Sequence, residues 1–268
     1  MTAPLNYAAF LSLAGCTMQI DLNADLGEGA PYDRELLAII SSANISCGLH
    51  AGNASTLATA IRLSLARGVC IGAHSSFPDR EHFGRRCMAL PFDSLRHHLL
   101  SQLHALNKQV QAHGGSLQHI KPHGALYNQA ATDAGLAQNI VRIVQEFDPQ
   151  LCIVGLASGK LLAAAREREM PVLQEAFADR RYAPDGTLLP RSDPRALIYD
   201  AQEALEQCLQ IITRQCVNTV DGSLYPLHAD TLCLHGDSPA ALVFAQHLHA
   251  GLQAEGIEIR PAHRKKLV

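Results

Sequence analysis

The chain has 268 residues, 47% of them hydrophobic and 18% charged, a globular composition long enough for one large core. A formal net charge of -3 leaves no basic excess for a phosphate backbone, and 5% aromatics without tryptophan offer no platform for stacking bases. No run is long and apolar enough to span a membrane, and a cytoplasmic location is expected.

The first stretch, "AAFLSLAGC" at 8 to 16, has the look of a short lipoprotein-type signal, but no Lys or Arg precedes it. Met18 then opens "MQIDLN", a clean strand start. Residues 1–17 are therefore read as a non-essential extension and 18–268 as a single catalytic domain. Eight cysteines occur without a CxxC pair, several inside apolar runs. They read as small buried hydrophobes in a reducing compartment.

From Met18 onward, β-leaning apolar runs alternate with helical patterns. The strand runs fall at 18–23, 42–48, 69–73, 117–122, 151–155, 172–178 and 231–236. The helical patterns fall at 33–41, 53–68, 93–114, 132–147, 158–169, 196–213 and 238–256. Asp93, Thr132 and Ser238 are placed as N-caps, the last with Pro239 at the first helical position, and Gly68 and Gly114 suit C-termini. Strand then helix, seven times, predicts a parallel α/β sheet closed into a seven-unit (β/α) barrel. The strands read as continuous apolar runs, as doubly covered strands do. Two loops, 74–92 and 179–195, are long enough to carry chemistry at the C-terminal mouth.

Polar residues gather at the strand ends. His50, His74, His123 and His235 follow four different strands, the last with Asp237, and a barrel brings such positions to one mouth. Imidazoles there suit proton transfer or metal ligation. Asp21, Asn23 and Asp25 share one face of the first strand by period two. Asp21 lies deep enough for either a structural or a catalytic role, whereas Asp25 and Glu28 stand near the strand end. Glu175 and Asp179 come from the sixth strand. Arg85 and Arg86 of "FGRR" are either a solvated pair or a clamp for a carboxylate or phosphate. Lys121 and Asn128 flank His123, and the turn-rich loop from "FADRRY" onward is a lid or a partner surface.

Three familiar devices are absent. "GLASGKLL" has three residues where a Walker A loop needs four, and Leu161 follows Lys160. No G-x-S-x-G elbow and no HExxH pair occur.

The stretches "IDLNADLGEG", "SANISCGLHAGN", "GAHSSFPDREHFGRR", "IKPHGALYNQA", "EAFADRRYAPDGTLLPRS" and "TLCLHGD" together resemble the LamB/YcsF family from Met18 to about Gly256. The resemblance implies a deacetylase-like (β/α) barrel acting as the A component of 5-oxoprolinase. That enzyme opens 5-oxoproline to L-glutamate at the expense of ATP, with subunits B and C as partners. ATP is then a co-substrate handled by those partners, in keeping with the missing nucleotide loop, and a metal requirement is left open. The expected roles are Asp25 or His74 as base and His50 or His123 as proton donor. Asn23, Glu28, Arg85, Arg86, Lys121, Asn128, Glu175, His235 and Asp237 are expected to bind substrate. Two other readings stand beside it: a metal-dependent deacetylase of an N-acetylated sugar or amide, and a non-catalytic carbohydrate- or acid-binding protein. Asn53 replaces the family's usual Asp after His50-Ala51-Gly52, and Ser75-Ser76 replaces a Pro-Ser pair; the first puts a ligand or proton acceptor in doubt, the second the rigidity of the third loop.

Overall fold

A computed structural model describes residues 18–234 and 239–262. The N-terminal extension, His235, Asp237 and the Ser238 cap lie outside the described residues. Seven parallel strands form the wall: β1 (Gln19–Leu26), β2 (Ser42–Ser46), β3 (Cys70–His74), β4 (His119–Ile120), β5 (Cys152–Leu156), β6 (Val172–Phe177) and β9 (Thr231–Leu234). Each pairs with the next, β6 pairs with β9, and β9 returns to β1 through Asp21↔Thr231 to Ala24↔Leu234. The barrel is closed, as the seven units predict.

Outside the wall lie α1 (Asp33–Leu36), α2 (Ala54–Arg67), α3 (Phe92–Ala112), α4 (Gly124–Thr132), α5 (Ala134–Phe147), α6 (Lys160–Glu167), α7 (Ala201–Arg214) and α8 (Pro239–Ala254). A hairpin, β7 (Cys216–Asn218) with β8 (Leu224–Pro226), and a short strand β10 (Glu258–Ile259) beside the start of β1 complete the chain. Neither the hairpin nor β10 is visible in the sequence pattern, because two- and three-residue strands carry too few alternations to register. Helix α4 is missed as well, since its "GALYNQAAT" begins directly after His123.

Some boundaries differ for identifiable reasons. Strand β4 keeps two residues of the predicted six, and Pro122, with no N–H to donate, limits it on the C-terminal side. Its neighbours still reach β3 and the loop after it: Lys121 N donates to Ala73 O at 2.9 Å and His123 N to Ser75 O at 2.8 Å. Thr132 is the last residue of α4, and Asp133 caps α5 by accepting from Leu136 N. Asp93 sits in the first turn of α3, where Pro91 occupies the cap position. Gly68 ends α2 in the left-handed region, as expected. Asn53 caps α2, accepting from Ser55 and Thr56 N while Thr56 Oγ1 takes its own N–H. Asn and Asp cap equally well, so the change from the family's aspartate costs the helix little. The Ser75-Ser76 replacement also leaves the loop anchored, since Ser76 N donates to Gln102 Oε1 at 3.0 Å.

The strands are not apolar on both faces. Along β1, Ile20, Leu22, Ala24 and Leu26 belong to the main apolar core between wall and helices, while Asp21, Asn23 and Asp25 alternate with them and face the barrel axis. Asn44, His119, Lys121, Glu175 and Thr231 join them there. Among the described residues, Cys152, Val154 and Leu173 form a separate apolar cluster. At the bottom of this polar interior Asp21 is 2% exposed. It accepts from Ser41 Oγ (2.6 Å), Ser42 Oγ (2.7 Å) and Thr231 Oγ1 (2.5 Å). Burial still raises its pKa above the usual carboxylate value, against those three bonds. Asp21 is thus a structural tie among β1, β2 and β9. Asp21→Ala removes the shared acceptor of three buried hydroxyl groups and should cost about 2–4 kcal/mol. The loss should appear as a lower urea midpoint at unchanged slope, with Asp21→Asn losing less.

Candidate active site

The site is assembled from the floor upward. Lys121, 3% exposed, lies between two carboxylates: Glu175 Oε1 at 2.8 Å and Asp25 Oδ1 at 3.2 Å. It also donates to Asn23 Oδ1 and approaches Cys233 Sγ, both at 3.2 Å. Burial alone would push its pKa down, but Asp25, Cys233 and Glu175 outweigh it and hold the ammonium charged. Asn23 Nδ2 donates to Glu175 Oε1 (3.0 Å) and Thr231 Oγ1 (2.8 Å). Asn44 Nδ2 donates to Asn23 Oδ1 and Asp25 Oδ1, and His119 Nε2 in turn bonds Asn44 Oδ1 at 2.8 Å. The His119 ring lies over Gly72, where a Cβ would fall 2.0 Å from Nε2. Only glycine leaves that space.

Above this floor stand the histidines. His74 Nδ1 bonds the Lys121 carbonyl at 2.9 Å, and its Nε2 faces Asp25 Oδ2 at 3.2 Å and His123 Nδ1 at 2.9 Å. His123 Nε2 bonds the Phe83 carbonyl at 2.8 Å. Carbonyls only accept, so His74 Nδ1 and His123 Nε2 both carry hydrogen. The neutral His123 ring then offers a bare Nδ1, and a proton on His74 Nε2 completes the bond between the rings. The chain of bonds therefore fits an imidazolium at His74 and a neutral ring at His123. Burial lowers the His74 pKa, but Asp25 more than compensates and the net shift is upward. His50 and His123 are pushed down to about 3, by burial first and then by the His74 charge. Glu28 Oε1 lies 2.9 Å from His50 Nε2 and 3.5 Å from His123 Nδ1. Burial raises the Glu28 pKa above the usual carboxylate value, despite His74.

The third loop holds this cluster in place. Gly84 adopts φ +64, and a Cβ there would lie 2.9 Å from His123 Cδ2 and 3.1 Å from His50 Cβ. Its carbonyl accepts Ala125 N at 2.9 Å, so the loop closes on the start of α4. Arg80 bonds the carbonyls of Gly48 and Gly52, tying the third loop to the second.

A pocket of about 560 Å³ opens over the cluster, and Asp25, Glu28, His74, Lys121, His123 and Asn128 reach it. Arg85 lines it too, its guanidinium 4.9 Å from the centre of the Phe83 ring. Several expected site residues lie elsewhere. Arg86 is exposed outside the lining and contributes its backbone N–H to Asp79. Asn23 and Glu175 are sealed beneath the floor, at 2% and 0% exposure, and act on Lys121 and not on a ligand. Lys121 spends its charge on two carboxylates, so it does not stand as a free cation for an anionic substrate. His50 is 1% exposed and stacks behind His123 at 3.9 Å between centroids. His235 and Asp237 lie outside the described residues.

Other participants carry weaker signals. Asn44 and His119 follow from period two, two residues after Ser42 and two before Lys121. Tyr127, Arg180 and Arg191 also line the pocket; they fall in stretches singled out in the sequence, but nothing local marks these particular side chains.

Glu28, His50, His74 and His123 each offer a ligand atom, all within 4.8 Å of one another. Three imidazoles and a carboxylate suit a borderline divalent ion such as Zn²⁺. The carbonyl bonds at His74 Nδ1 and His123 Nε2 would orient such ligands.

The sequence profile of the LamB/YcsF family matches residues 20–267. The chain belongs to the LamB/YcsF family. This member overlays on the lactam utilization protein from Thermus thermophilus at 40% identity and TM-score 0.85, covering 91% of this chain and 99% of that one. A solved protein from Enterococcus faecalis shares the fold at TM-score 0.55 with 10% identity, over 92% and 98% of the two chains. Among the described residues, no helix of this family member is long and apolar enough to cross a membrane.

The buried histidines set an acid limit on stability. The unfolded chain protonates its His50 and His123 rings below about 6.5, while the native rings resist until about 3. The unfolded state then binds more protons, so these two rings make stability fall as pH drops through that window. His74, with its raised pKa, contributes in the opposite sense, its share being lost as pH rises through the native value. In urea titrations between about pH 6.5 and 4, His123→Gln should lose stability less steeply than wild type. An equal slope would show that His123 is not held neutral.

Proposed function

We propose that this chain is the A component of 5-oxoprolinase, opening 5-oxoproline to L-glutamate with ATP and two partner subunits. The observation that carries the reading is the 3.2 Å pair of Asp25 Oδ2 and His74 Nε2 facing the pocket, a base and a proton donor side by side. Membership of the LamB/YcsF family and the likeness to a lactam utilization protein supply the substrate class.

Water attacks a lactam carbonyl poorly because amide resonance stabilises it. Phosphorylation of the amide oxygen, assigned here to the partner subunits, removes that protection. Asp25 then takes a proton from water as the oxygen bonds to the carbonyl carbon. The tetrahedral adduct collapses as its hydroxyl gives its proton to solvent and re-forms the C=O bond; the C–N bond breaks, and its electron pair goes to the ring nitrogen and is protonated from His74. The acyl phosphate loses phosphate to a second water, giving L-glutamate and inorganic phosphate. Arg85 holds the substrate carboxylate. Lys121 aims Asp25 through its 3.2 Å contact, a positioning role, and His50 supports His123 from behind.

A second reading has its own observation. The convergence of Glu28, His50, His74 and His123 fits a metal-dependent deacetylase of an N-acetylated sugar or amide. Such an ion, when bound, would supply Lewis-acid activation, and the four residues named would hold it.

One assay separates the two. 5-Oxoproline conversion is followed with ATP, for the chain alone and with co-expressed subunits B and C. The complex should turn over and the isolated chain should not, and Asp25→Asn should lower turnover about 100-fold or more. Turnover by the isolated chain without ATP would contradict the proposal. Loss of an ATP-independent deacetylase activity on dialysis against chelator would establish the second reading.

A further inference from the structure

The part of the pocket built by the loop after β6 carries chemistry that lactam opening, as described, does not use. Arg180 lies three residues beyond β6 and is 6% exposed. Its Nη2 donates to the Leu189 carbonyl at 2.6 Å, but its Nε has no partner. Asp179 favours its charge, but burial and a neighbouring arginine outweigh that. A guanidinium buried in this way is costly unless an anion meets it.

A second arginine, Arg191, lines the same pocket, and the segment Thr187–Pro190 joins them along its wall. The two like charges repel. After burial itself, Arg191 is the largest influence holding the Arg180 pKa below its ordinary value, with Asp179 opposing. Two arginines converging on one cavity, one with a buried N–H unused, form a place for a multiply charged oxyanion, since the guanidinium fork matches phosphate geometry. The cavity of about 560 Å³ has room for far more than a five-membered lactam.

We propose that Arg180 and Arg191 form an anion subsite that takes the phosphoryl group of the activated substrate, leaving Arg85 for its carboxylate. The proposal rests on the functional reading above for the identity of the anion, not for the existence of the subsite. An activated lactam carries two anionic groups, and the pocket offers two separate cationic positions.

The test is calorimetric titration of the full chain, without partners or ATP, using inorganic phosphate in one arm and 5-oxoproline in the other. Arg180→Gln and Arg191→Gln should each weaken phosphate binding by about 10-fold or more and change 5-oxoproline binding less than about threefold. Arg86→Gln, outside the pocket, should change neither. Circular dichroism checks folding, and if Arg180→Gln does not fold, Arg191→Gln decides. No saturable phosphate binding to wild type, or unchanged phosphate affinity in the folded variants, would overturn the subsite. Selective loss of 5-oxoproline binding would overturn the phosphoryl assignment by making it the carboxylate site. Arginine-dependent phosphate binding in a chain whose reconstituted complex opens no lactam would keep the anion subsite and remove the functional reading.

Discussion

A charged lysine inside a barrel is the constraint around which the rest is arranged. Lys121 cannot remain charged at 3% exposure without counter-charges, and it has two, Glu175 and Asp25. Glu175 has to be deep and Asp25 has to be at the surface of the floor, so one ammonium connects the sealed interior to the pocket. Asn23 and Asn44 satisfy the remaining lone pairs, and Asp21 with its three hydroxyl partners closes the lower end. An interior of this kind makes β1, β2, β4, β6 and β9 depend on one another through side chains as well as through the ladder. It also leaves little freedom in where Asp25 points.

The same economy governs the mouth. His74 can hold a proton because Asp25 is fixed beside it, and His123 stays neutral because it is buried next to that charge, with its single N–H given to Phe83 O. That carbonyl is where it is because Gly84 tolerates φ +64 against two histidines. The third loop is therefore part of the site's electrostatics: moving it would change which ring is charged. A divalent ion would use the inward atoms of the same cluster, so proton storage and metal binding are competing uses of one geometry.

Much of this was legible in the sequence because strand ends of a barrel converge. The convergence of His50, His74 and His123 and the Asp21-Asn23-Asp25 face came directly from strand position and period two. What escaped notice did so for physical reasons. Arg86 and Arg85 are adjacent, and nothing local says which one turns toward the pocket. His50, Asn23 and Glu175 sit at the expected strands, but depth along the axis is set by the stagger of the barrel, which no single strand encodes. Arg180 reads as a surface residue until the loop folds over it. Reading the strands as doubly apolar concealed the polar interior, because alanine, cysteine and glycine on the facing strands dilute the alternation.

At the mouth, one proton is held at His74 by Asp25 while the His50 and His123 rings stay neutral. Nitrogen-15 spectra of the imidazole rings in the metal-free chain at about pH 7 test this directly. Imidazolium shifts are expected for His74 and a neutral ring protonated at Nε2 for His123, with Asp25→Asn returning His74 to neutral. A neutral His74 in wild type, or a charge on His123 instead, would contradict it.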